Sequence, residues 1–463
     1  MADPVPLLIM GAGPAGLAAA QEAVAAGVGA LLLDEQPTGG GQIYRALGEA
    51  SGERQKTLGA DYAAGAPLLG VLSDQGLDHQ PGATVWEVTP EGSVYYTREG
   101  QARAVSAEQL ILCSGALERP MPFPGWTLPG VMTCGAAQIL LKGAGVFPAR
   151  GAVLAGSGPL LLLLAKQLIG AGARLVAVVD TTPAGNYRAA LMHLPKALRT
   201  PGYLLKGLSM IRTLSASGVP WYRGASGLEA IGDDAVAALR FKVRGRQHEV
   251  VCGNLFLHQG VVPNVQLSRS LGLEHRWDEL QRCWRPSLDD WGVSDLERIA
   301  VAGDGAGIMG ARAAEAHGRL AALGALKRLG VLSENERDRR AAGPRGVYRR
   351  EILPRPFLDR LYQPHPDYLH PADDTIVCRC EEVTAGQIRK YVELGCLGPN
   401  QAKAFGRSGM GPCQGRVCGL SVSEIIAQAR GVPLEEVGYY RIRPPIKPVT
   451  LGELATLEQP EDA

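Results

Sequence analysis

Four cysteines near the C-terminus stand in two close pairs that could hold iron or zinc. One residue separates Cys378 from Cys380, and the pair Cys413 and Cys418 follows after 32 intervening residues. Four thiolates in this arrangement suit a [2Fe–2S] cluster, which takes four cysteine ligands. Zinc also binds four thiolates, but about two to four residues usually lie inside each pair, so Cys-x-Cys favours the cluster. The glycines and proline of residues 409–415 predict irregular backbone whose N–H groups can donate to sulfur.

A glycine loop near the N-terminus predicts a nucleotide site. This first glycine loop (residues 11–16, GAGPAG) directly follows an apolar run at residues 5–10 and precedes a helical pattern. In such a loop one glycine makes the turn, the next lets a diphosphate touch bare backbone, and the last lets helix and strand pack closely. The phosphates then lie at the helix N-terminus. The predicted contacts are Gly11, Gly13, Pro14, Ala15 and Gly16.

Acidic and glycine residues after the next apolar run extend this predicted site. Asp34 stands 23 residues after Gly11, where an acid binds ribose hydroxyls, and Glu35 lies beside it. A second stretch of bare backbone follows at residues 39–41, and we expect Gly41 and Gln42 to contact the cofactor. This stretch suits the extended diphosphate of a flavin dinucleotide.

Two further segments favour FAD over NAD in the first glycine loop. Residues 301–304 (VAGD) resemble the AxGD segment of FAD-dependent oxidoreductases with two dinucleotide-binding domains. That resemblance implies that Gly303 and Asp304 contact the ribityl chain. Residues 112–120 (LCSGALERP), which include Gly115, resemble the ATGxxxR crossing between the two domains of that family.

A second glycine loop (residues 156–161, GSGPLL) stands where such enzymes bind NAD(P)H. Leu161 replaces the third glycine, and its side chain should push the helix off the strand and narrow the approach of a diphosphate. Reduction by NAD(P)H is therefore disfavoured, and the loop holds another adenine nucleotide or nothing. The leucines at residues 160–164 read as core. The chain has no Cys-x-x-Cys, so the redox dithiol of thioredoxin-type reductases is absent.

The order of apolar runs predicts the elements that position these residues. A strand–turn–helix–strand pattern occupies residues 5–33 and restarts at residues 152–180, which predicts an α/β fold of two doubly wound dinucleotide-binding domains. A third strand is expected at residues 299–302. The predicted divisions are a FAD-binding domain at 1–145 with a return segment at 269–330, a second nucleotide-fold domain at 146–268, a basic Pro/Gly-rich linker at 331–372, a cysteine module at 373–440 and a Pro-rich tail at 441–463.

Composition excludes several classes of protein. Lys and Arg total 47 against 46 Asp and Glu, so net charge gives no argument for nucleic-acid binding. The first residues lack a signal-peptide pattern, and the longest uncharged apolar stretch, between Arg150 and Lys166, is too short to span a bilayer. Nine cysteines, an odd number, do not resemble a secreted disulfide framework. We therefore expect a cytoplasmic protein without a transmembrane segment.

The motifs together resemble one family over nearly the whole chain. They include GAGPAGLAAA, DEQPTGGGQIYR, PMPFPGWTLPGVMT, AVAGDGAGIMGARAAEAHG, CRCEEVT and GMGPCQGRVC. The chain is similar to the FAD- and [2Fe–2S]-containing α subunits of heteromeric amino-acid and opine dehydrogenases or oxidases. That group includes D-hydroxyproline dehydrogenase and opine oxidase, with hydrogen cyanide synthase and heterotetrameric sarcosine oxidase as relatives. The cysteine module resembles the BFD-like [2Fe–2S] domain.

The resemblance implies a division of labour between subunits. A β subunit of D-amino-acid-oxidase type, with its own flavin, would oxidise a C–N bond, and this chain would relay the electrons through FAD and the cluster. A small ferredoxin-like γ subunit is also implied, and the complex could lie peripherally on the inner membrane. The sequence itself predicts no catalytic residue, since its eight histidines are scattered and His258 and His317 read as structural. The alternatives are an NAD(P)H-dependent flavin reductase, a hydrogen cyanide synthase subunit, or a nucleotide-binding scaffold without redox turnover.

Overall fold

Short apolar segments form buried parallel strands, as their sequences predict. The computed structural model describes residues 3–457. In residues 3–145 the strands are β1 (Val5–Met10), β2 (Ala30–Asp34), β3 (Leu77–Pro81), β4 (Thr84–Val88), β5 (Ser93–Arg98), β6 (Gln101–Leu112), β7 (Ala116–Glu118) and β8 (Val131–Thr133). The helices there are α1 (Pro14–Ala25), α2 (Gly52–Leu58), α3 (Ala60–Ala63), α4 (Ala66–Leu69) and α5 (Cys134–Ala144).

The second α/β unit and its flanking segments follow. Its strands are β9 (Ala152–Ser157), β10 (Leu175–Asp180), β11 (Trp221–Arg223), β12 (Ala225–Ile231), β13 (Ala238–Val243), β14 (Arg246–Val251), β15 (Asn254–Gln259) and β16 (Val261–Pro263). Its helices are α6 (Pro159–Gly170), α7 (Ala184–Ala190), α8 (Leu194–Ala197), α9 (Pro201–Ala216) and α10 (Gln266–Ser270).

The rest of the chain completes the first unit and adds the C-terminal helices. The strands are β17 (His275–Asp278), β18 (Cys283–Pro286), β19 (Ile299–Val301), β20 (Ile376–Cys378) and β21 (Val383–Thr384). The helices are α11 (Ala311–Arg328), α12 (Glu334–Glu351), α13 (Arg355–Leu361), α14 (Pro366–Leu369), α15 (Ala385–Glu393), α16 (Pro399–Gly406), α17 (Gly419–Arg430), α18 (Leu434–Val437) and α19 (Leu451–Leu454).

The first sheet joins the two distant parts of the first α/β domain. Its strand order is β3-β2-β1-β6, and β19 lies parallel to the C-terminal half of β6. The antiparallel hairpin β4–β5 continues from the N-terminal half of β6. The residues of β1 and β2 are almost continuously apolar, as expected of parallel strands covered on both faces. The return of the chain at β19 brings residues 303–304 back to the first glycine loop.

The second sheet is parallel, with strand order β11-β10-β9-β15-β8. A three-stranded antiparallel sheet, β12-β13-β14, belongs to the same unit, and β7 pairs with β16 where the chain crosses between the two domains. The expected α/β architecture with two doubly wound domains is confirmed. No helix among residues 3–457 is both long and apolar enough to cross a bilayer.

The segment expected to be a linker is largely helical. Helix α12 begins after Ser333, whose hydroxyl accepts a hydrogen bond from Glu336 N, and it contains Pro344. Ion pairs one turn apart, such as Arg337 with Glu334, stabilise this helix, and Ala341 is fully buried. Sequence reasoning missed the helix because charged residues surround it and leave almost no apolar stripe.

A continuous apolar core joins the cysteine module to the first domain. Its buried members run from the strands β1 and β6 to Ile388, Val422 and Tyr440 of the module. The Pro-rich tail also packs on the first domain, where Ile446 is buried and its N–H donates to Trp86 O at 2.9 Å. The ends of the predicted first domain and tail, residues 1–2 and 458–463, lie outside the described residues.

Candidate cofactor sites

The first glycine loop has the close approaches that its sequence predicts. Gly11 has φ +101°, and a Cβ there would lie 2.5 Å from the Cys113 carbonyl oxygen. A Cβ on Gly16 would lie 1.8 Å from Gly11 O, so only glycine allows α1 to pack this near β1. Gly13 precedes α1 with extended backbone, and Pro14 is its first residue. The first N–H groups of α1 have no intrahelical acceptor and are available to an anion.

The second stretch of bare backbone lies against this loop. A Cβ on Gly41 would approach Gly13 Cα to 2.8 Å, and Gly40 N donates to Ala12 O at 2.8 Å. Gln42 is exposed. The structure therefore brings Gly41 and Gln42 beside the loop at which the sequence predicts the diphosphate.

The two adjacent acids have different partners. Asp34 is buried, and its carboxylate accepts hydrogen bonds from Ala12 N at 2.5 Å and Gln36 N at 2.7 Å. Burial raises the pKa of Asp34, although these two hydrogen bonds oppose the shift. Glu35 instead pairs with Lys447 of the tail, at 2.6 Å between Oε2 and Nζ. Asp34 thus holds the glycine loop, and each of its oxygens keeps a lone pair for a ribose hydroxyl.

The part of the return segment around Gly303 and Asp304 packs against the start of α1. The Asp304 carboxylate accepts hydrogen bonds from Met309 N at 2.9 Å and Gly310 N at 3.1 Å, just before α11. A Cβ on Gly303 would lie 2.8 Å from the Ala15 side chain. The residues predicted to hold FAD therefore gather around the start of α1.

The crossing segment, residues 112–120, contacts both the chain after β16 and the return segment. Gly115 O accepts a hydrogen bond from Asn264 N at 2.9 Å, and the Ser114 hydroxyl donates to Asn264 O at 2.8 Å. A Cβ on Gly305 would lie 2.6 Å from that hydroxyl. Gly115 therefore lies where β7 leaves the first domain, beside the return segment.

Unlike the first glycine loop, the second has a histidine ring beside it. A Cβ on Gly156 would lie 1.8 Å from His258 O, and one on Gly158 would lie 3.1 Å from the His258 ring. Leu161 is 1% exposed and belongs to the apolar core, as its sequence predicts. His258 is held by Glu118, at 2.7 Å between Nδ1 and Oε1. An imidazole ring therefore stands next to the glycine that a diphosphate would touch.

A later segment of the chain packs against the carboxyl ends of the second sheet. Gln259, the last residue of β15, donates to the Thr181 hydroxyl at 2.7 Å and accepts from His365 N at 3.4 Å. Asn186 donates to Gln363 O at 3.1 Å, and Tyr368 is buried among the apolar residues of this unit. Ligands of such sheets bind at these strand ends. Residues 363–368 therefore fill part of that crevice.

His317 has a structural place. It is buried, and its Nδ1 accepts a hydrogen bond from Gly303 N at 3.2 Å. Burial lowers the pKa of His317 to about 4, so the ring is neutral at physiological pH. Its role here is to hold the backbone in front of Asp304.

The four candidate metal-ligating cysteines come together in two adjoining pairs. Cys378 lies beside Cys418, and Cys380 lies beside Cys413, near enough for the thiols of each pair to shift each other's pKa. The neighbouring Cys418 thiol, assisted by backbone N–H groups that include that of Gly409, lowers the pKa of Cys378 to about 6 despite its burial. Among residues 3–457, no three Cys, His, Asp or Glu side chains are close enough to hold a single metal ion.

The backbone around these pairs is closely packed. A Cβ on Gly411 would lie 2.2 Å from Cys380 Cβ. The hydroxyl of the buried Tyr440 lies 3.8 Å from Cys418 Sγ. Cys396 is buried apart from the pairs, and its thiol donates to Gly398 O at 3.3 Å. Backbone N–H groups and the Tyr440 hydroxyl therefore lie near thiols of this set.

Two lysines near the first glycine loop were not predicted from the sequence. Lys447, in the tail, pairs with Glu35, and Lys142, in α5, donates to Gln42 O at 3.0 Å. A lone charge inside the apolar stretch QILLKGA could have pointed to Lys142. Nothing local could have revealed Lys447, because its partner lies about four hundred positions away in the sequence.

Comparisons with known proteins identify the relatives of this chain. The family profile of pyridine nucleotide-disulphide oxidoreductases matches residues 5–318, and that of the sarcosine oxidase A3 domain matches residues 373–457. An opine oxidase subunit of Rhizobium meliloti is 44% identical over 97% of this chain and 87% of its own length. The hydrogen cyanide synthase subunit HcnB of Pseudomonas protegens is 34% identical over 98% of both chains.

A solved structure agrees in fold. L-proline dehydrogenase from P. horikoshii superimposes with a TM-score of 0.72 at 20% identity, covering 98% of this chain and 79% of that one. The chain therefore belongs to the pyridine nucleotide-disulphide oxidoreductase family, among the relatives of these opine oxidase subunits.

Proposed function

We propose that this chain is the electron-transferring α subunit of a heteromeric flavoprotein that oxidises an amino acid, an imino acid or an opine. FAD would bind at the first glycine loop, and a [2Fe–2S] cluster would bind at the four paired cysteines. The oxidation of the C–N bond would take place on a partner subunit. The relatives named as subunits of opine oxidase and of sarcosine oxidase support this reading.

The observation that carries the proposal is a contact between the residue after Cys413 and helix α10, which begins two residues after a hydrogen bond to the crossing segment. Gln266 donates from Nε2 to the carbonyl oxygen of Gln414, the residue after Cys413, at 3.4 Å. Gln266 lies two residues after Asn264, which is hydrogen-bonded to Gly115 at the predicted flavin side. A flavin and a cluster bound at these places would be linked through this short path of hydrogen-bonded residues, which suits electron transfer between them.

The chain's own residues fit both cofactors. At the first glycine loop, the approaches to Gly13 and Gly41 leave bare backbone for a diphosphate, and Asp34 and Asp304 offer acceptors for hydroxyl groups. FAD supplies two-electron chemistry and the cluster supplies one-electron steps when they are bound. The protein would fix their positions, and donors such as the Gly409 N–H would influence the potential of a bound cluster.

The two-and-two arrangement of thiols supports a two-iron cluster. Each iron of a [2Fe–2S] centre takes two protein ligands, so Cys378 with Cys418 and Cys380 with Cys413 provide the required number. A zinc ion would draw all four thiolates around one point. Metal analysis separates the two cases.

An exposed apolar surface supports the presence of a partner subunit. We call residues 184–212, which comprise α7, α8 and most of α9, the exposed hairpin. Six of its apolar side chains are between 41% and 77% exposed, namely Tyr187, Leu191, Met192, Leu198, Leu205 and Leu208. The hairpin also contains five Lys and Arg and no acidic residue. Clustered exposed apolar residues of this kind typically form protein interfaces.

The partners proposed are those implied by the resemblance. A β subunit of D-amino-acid-oxidase type would carry the substrate pocket and a second flavin, and a small ferredoxin-like γ subunit would complete the complex. All nine cysteines are free thiols, which suits the reducing cytoplasm. We propose that location, with any contact to the inner membrane made through the complex.

In this proposal the second glycine loop does not bind NAD(P)H as an electron donor to the flavin. The His258 ring beside Gly158, the buried Leu161 and the packing of residues 363–368 all oppose the approach of NAD(P)H. Extraction and analysis of bound nucleotides tests whether another adenine nucleotide occupies the loop. Rapid reduction of the flavin by NADH or NADPH alone would favour the flavin-reductase alternative.

Co-expression tests the proposal. The chain is produced alone and together with a candidate amine-oxidising subunit of D-amino-acid-oxidase type, and both preparations receive amino acids, imino acids and opines with an artificial electron acceptor. We expect turnover only from the complex, with FAD bound to this chain. Turnover by this chain alone, or a fully active complex in which this chain carries no FAD, would overturn it.

A further inference from the structure

Lys142 is a buried lysine without an acidic partner. It lies on α5, which packs against β8 and β15 of the second sheet, and is 4% exposed. Its ammonium donates to Gln42 O at 3.0 Å and lies 6.0 Å from the centre of the Tyr62 ring. Within residues 3–457, no carboxylate oxygen is within 4.0 Å of it. Buried charges in proteins are normally paired with an opposite charge or bind a ligand.

Two arginines increase the positive charge around the same loop. Arg45 donates to the side-chain oxygens of Gln36 at 2.6 Å and Gln42 at 3.3 Å. Arg54 donates to the carbonyl oxygens of Lys142 and Gly143, at 3.2 and 3.1 Å. All these acceptors are neutral. Burial, together with the charge of Arg45, lowers the pKa of Lys142 to about 7, as expected of a cation whose counter-charge is missing.

The position of this charge points to the cofactor. Gln42 directly follows Gly41, whose backbone packs against Gly13 in the first glycine loop. Gln42 and Ile43 are exposed, so the loop has an open side. FAD carries two kinds of anionic group, its diphosphate at all times and its ring system after reduction, and either would supply the missing negative charge.

We propose that Lys142, on helix α5, supplies the counter-charge for an anionic group of FAD bound at the first glycine loop. The inference rests on the proposed function, because it requires FAD at that loop. It also gives the second sheet a task that needs no nucleotide of its own, namely holding α5 so that Lys142 reaches Gln42. Lys142 is then a positioning residue that acts on the flavin through its charge.

The test compares Lys142→Met with Lys142→Arg, and Lys166→Met serves as a control because Lys166 is exposed on the neighbouring helix α6. FAD affinity is measured by fluorescence titration of the apoprotein, and the flavin midpoint potential by redox titration. If the diphosphate is the partner, Lys142→Met weakens FAD binding about tenfold or more. If the reduced ring is the partner, binding of oxidised FAD is unchanged and reduced FAD binds about tenfold more weakly, which lowers the two-electron potential by about 30 mV. Lys142→Arg and Lys166→Met should stay near the wild type.

Melting temperatures distinguish this role from a structural one. Removal of a buried, unpaired charge should leave the Lys142→Met apoprotein as stable as the wild type or more stable, while the stabilisation gained from FAD falls in the oxidation state that binds more weakly. A variant with unchanged FAD affinity and unchanged potential would overturn the inference, as would an apoprotein that melts at a lower temperature. A wild-type chain that takes up no FAD would overturn the proposed function itself, and this inference with it.

Discussion

Lys447, in the C-terminal tail, forms an ion pair with Glu35, the neighbour of the carboxylate that holds the first glycine loop. The Nζ to Oε2 distance is 2.6 Å, and the main chain next to Lys447 is fixed by hydrogen bonds from Ile446 N to Trp86 O and from Arg416 to Ile446 O. In the sequence, Arg416 lies between Cys413 and Cys418. The tail therefore connects the cysteine module to the edge of the proposed FAD site.

The first prediction concerns this ion pair. Burial would raise the pKa of Glu35, but the hydrogen bond and charge of Lys447 outweigh it, and the pKa is lowered from its ordinary value of 4.5. The pair therefore stabilises the docked tail above about pH 4.5, and this contribution is lost as the pH falls through the lowered value. Both side chains are partly exposed, so Lys447→Met should weaken docking by at most about 1 kcal/mol.

Hydrogen exchange of residues 441–457 measures this effect. Lys447→Met should accelerate exchange about fivefold at most near neutral pH, and the difference from the wild type should shrink near pH 4. Lys390→Met, at an exposed position of α15, serves as the control. An acceleration that is equally large at both pH values would contradict the role of Glu35.

The second prediction concerns Gly13. The nearest atom to a Cβ built at Gly13 is Gly41 Cα at 3.8 Å, so alanine fits the apoprotein there. The new methyl group would occupy the space assigned to the diphosphate. Gly13→Ala should therefore keep the apoprotein's melting temperature and bind FAD at least about tenfold more weakly, which corresponds to about 1.4 kcal/mol. Isothermal titration of the apoprotein with FAD checks this.

Gly29 supplies the matched control for that experiment. A Cβ at Gly29 meets no atom within 4 Å, and the residue is exposed between α1 and β2. Gly29→Ala should bind FAD like the wild type. Purified Gly13→Ala protein with a full complement of FAD would show that the first glycine loop is not the flavin site.

The third prediction distinguishes the paired cysteines from the remaining one in their module. Cys413→Ser and Cys418→Ser should each lose iron and acid-labile sulfide, because each removes one of the four proposed ligands. Cys396→Ser should keep both, because the Cys396 thiol donates a hydrogen bond to Gly398 O and lies apart from the four paired cysteines. Chemical analysis for iron, sulfide and zinc checks all three variants. Wild-type protein that contains zinc and no sulfide would contradict the cluster assignment.

The fourth prediction concerns the exposed hairpin. The double variant Met192→Glu with Leu205→Glu places charges on side chains that are 77% and 64% exposed, so the isolated chain should fold and keep its FAD. Co-purification with the proposed β subunit should fall at least about tenfold, since a buried unpaired charge opposes association. Val251→Glu, 76% exposed on β14, is the control. Equal recovery of the partner with the double variant would exclude the hairpin as the interface.

Local patterns predicted much of the fold. The segments that form β1, α1 and β2 lie within thirty positions of one another. Each can be predicted from its own apolar residues and glycines, because strand, turn and helix depend here on short-range geometry. The same holds for the restart at β9 and for the third strand at β19. The family membership also followed from motifs that remain contiguous in the sequence.

Long-range contacts account for what the sequence could not provide. The sequence assigned the ribose contact to Asp34 by its spacing and placed Glu35 beside it, but only the contact with Lys447 shows that Glu35 has a separate partner. The His258 ring beside Gly158 likewise depends on β15 lying next to β9. Helix α12 was missed because it is stabilised by ion pairs and contact with α11 rather than by an apolar stripe. The individual cofactor contacts and domain boundaries stay predictions.

An anaerobic reductive titration of the isolated, FAD-loaded chain, followed by visible absorbance and electron paramagnetic resonance together, tests the relay most directly. The account predicts uptake of about three electrons per chain, two by the flavin and one by the cluster, with the signal of a reduced [2Fe–2S] centre. Uptake of only two electrons with no paramagnetic iron signal would contradict it.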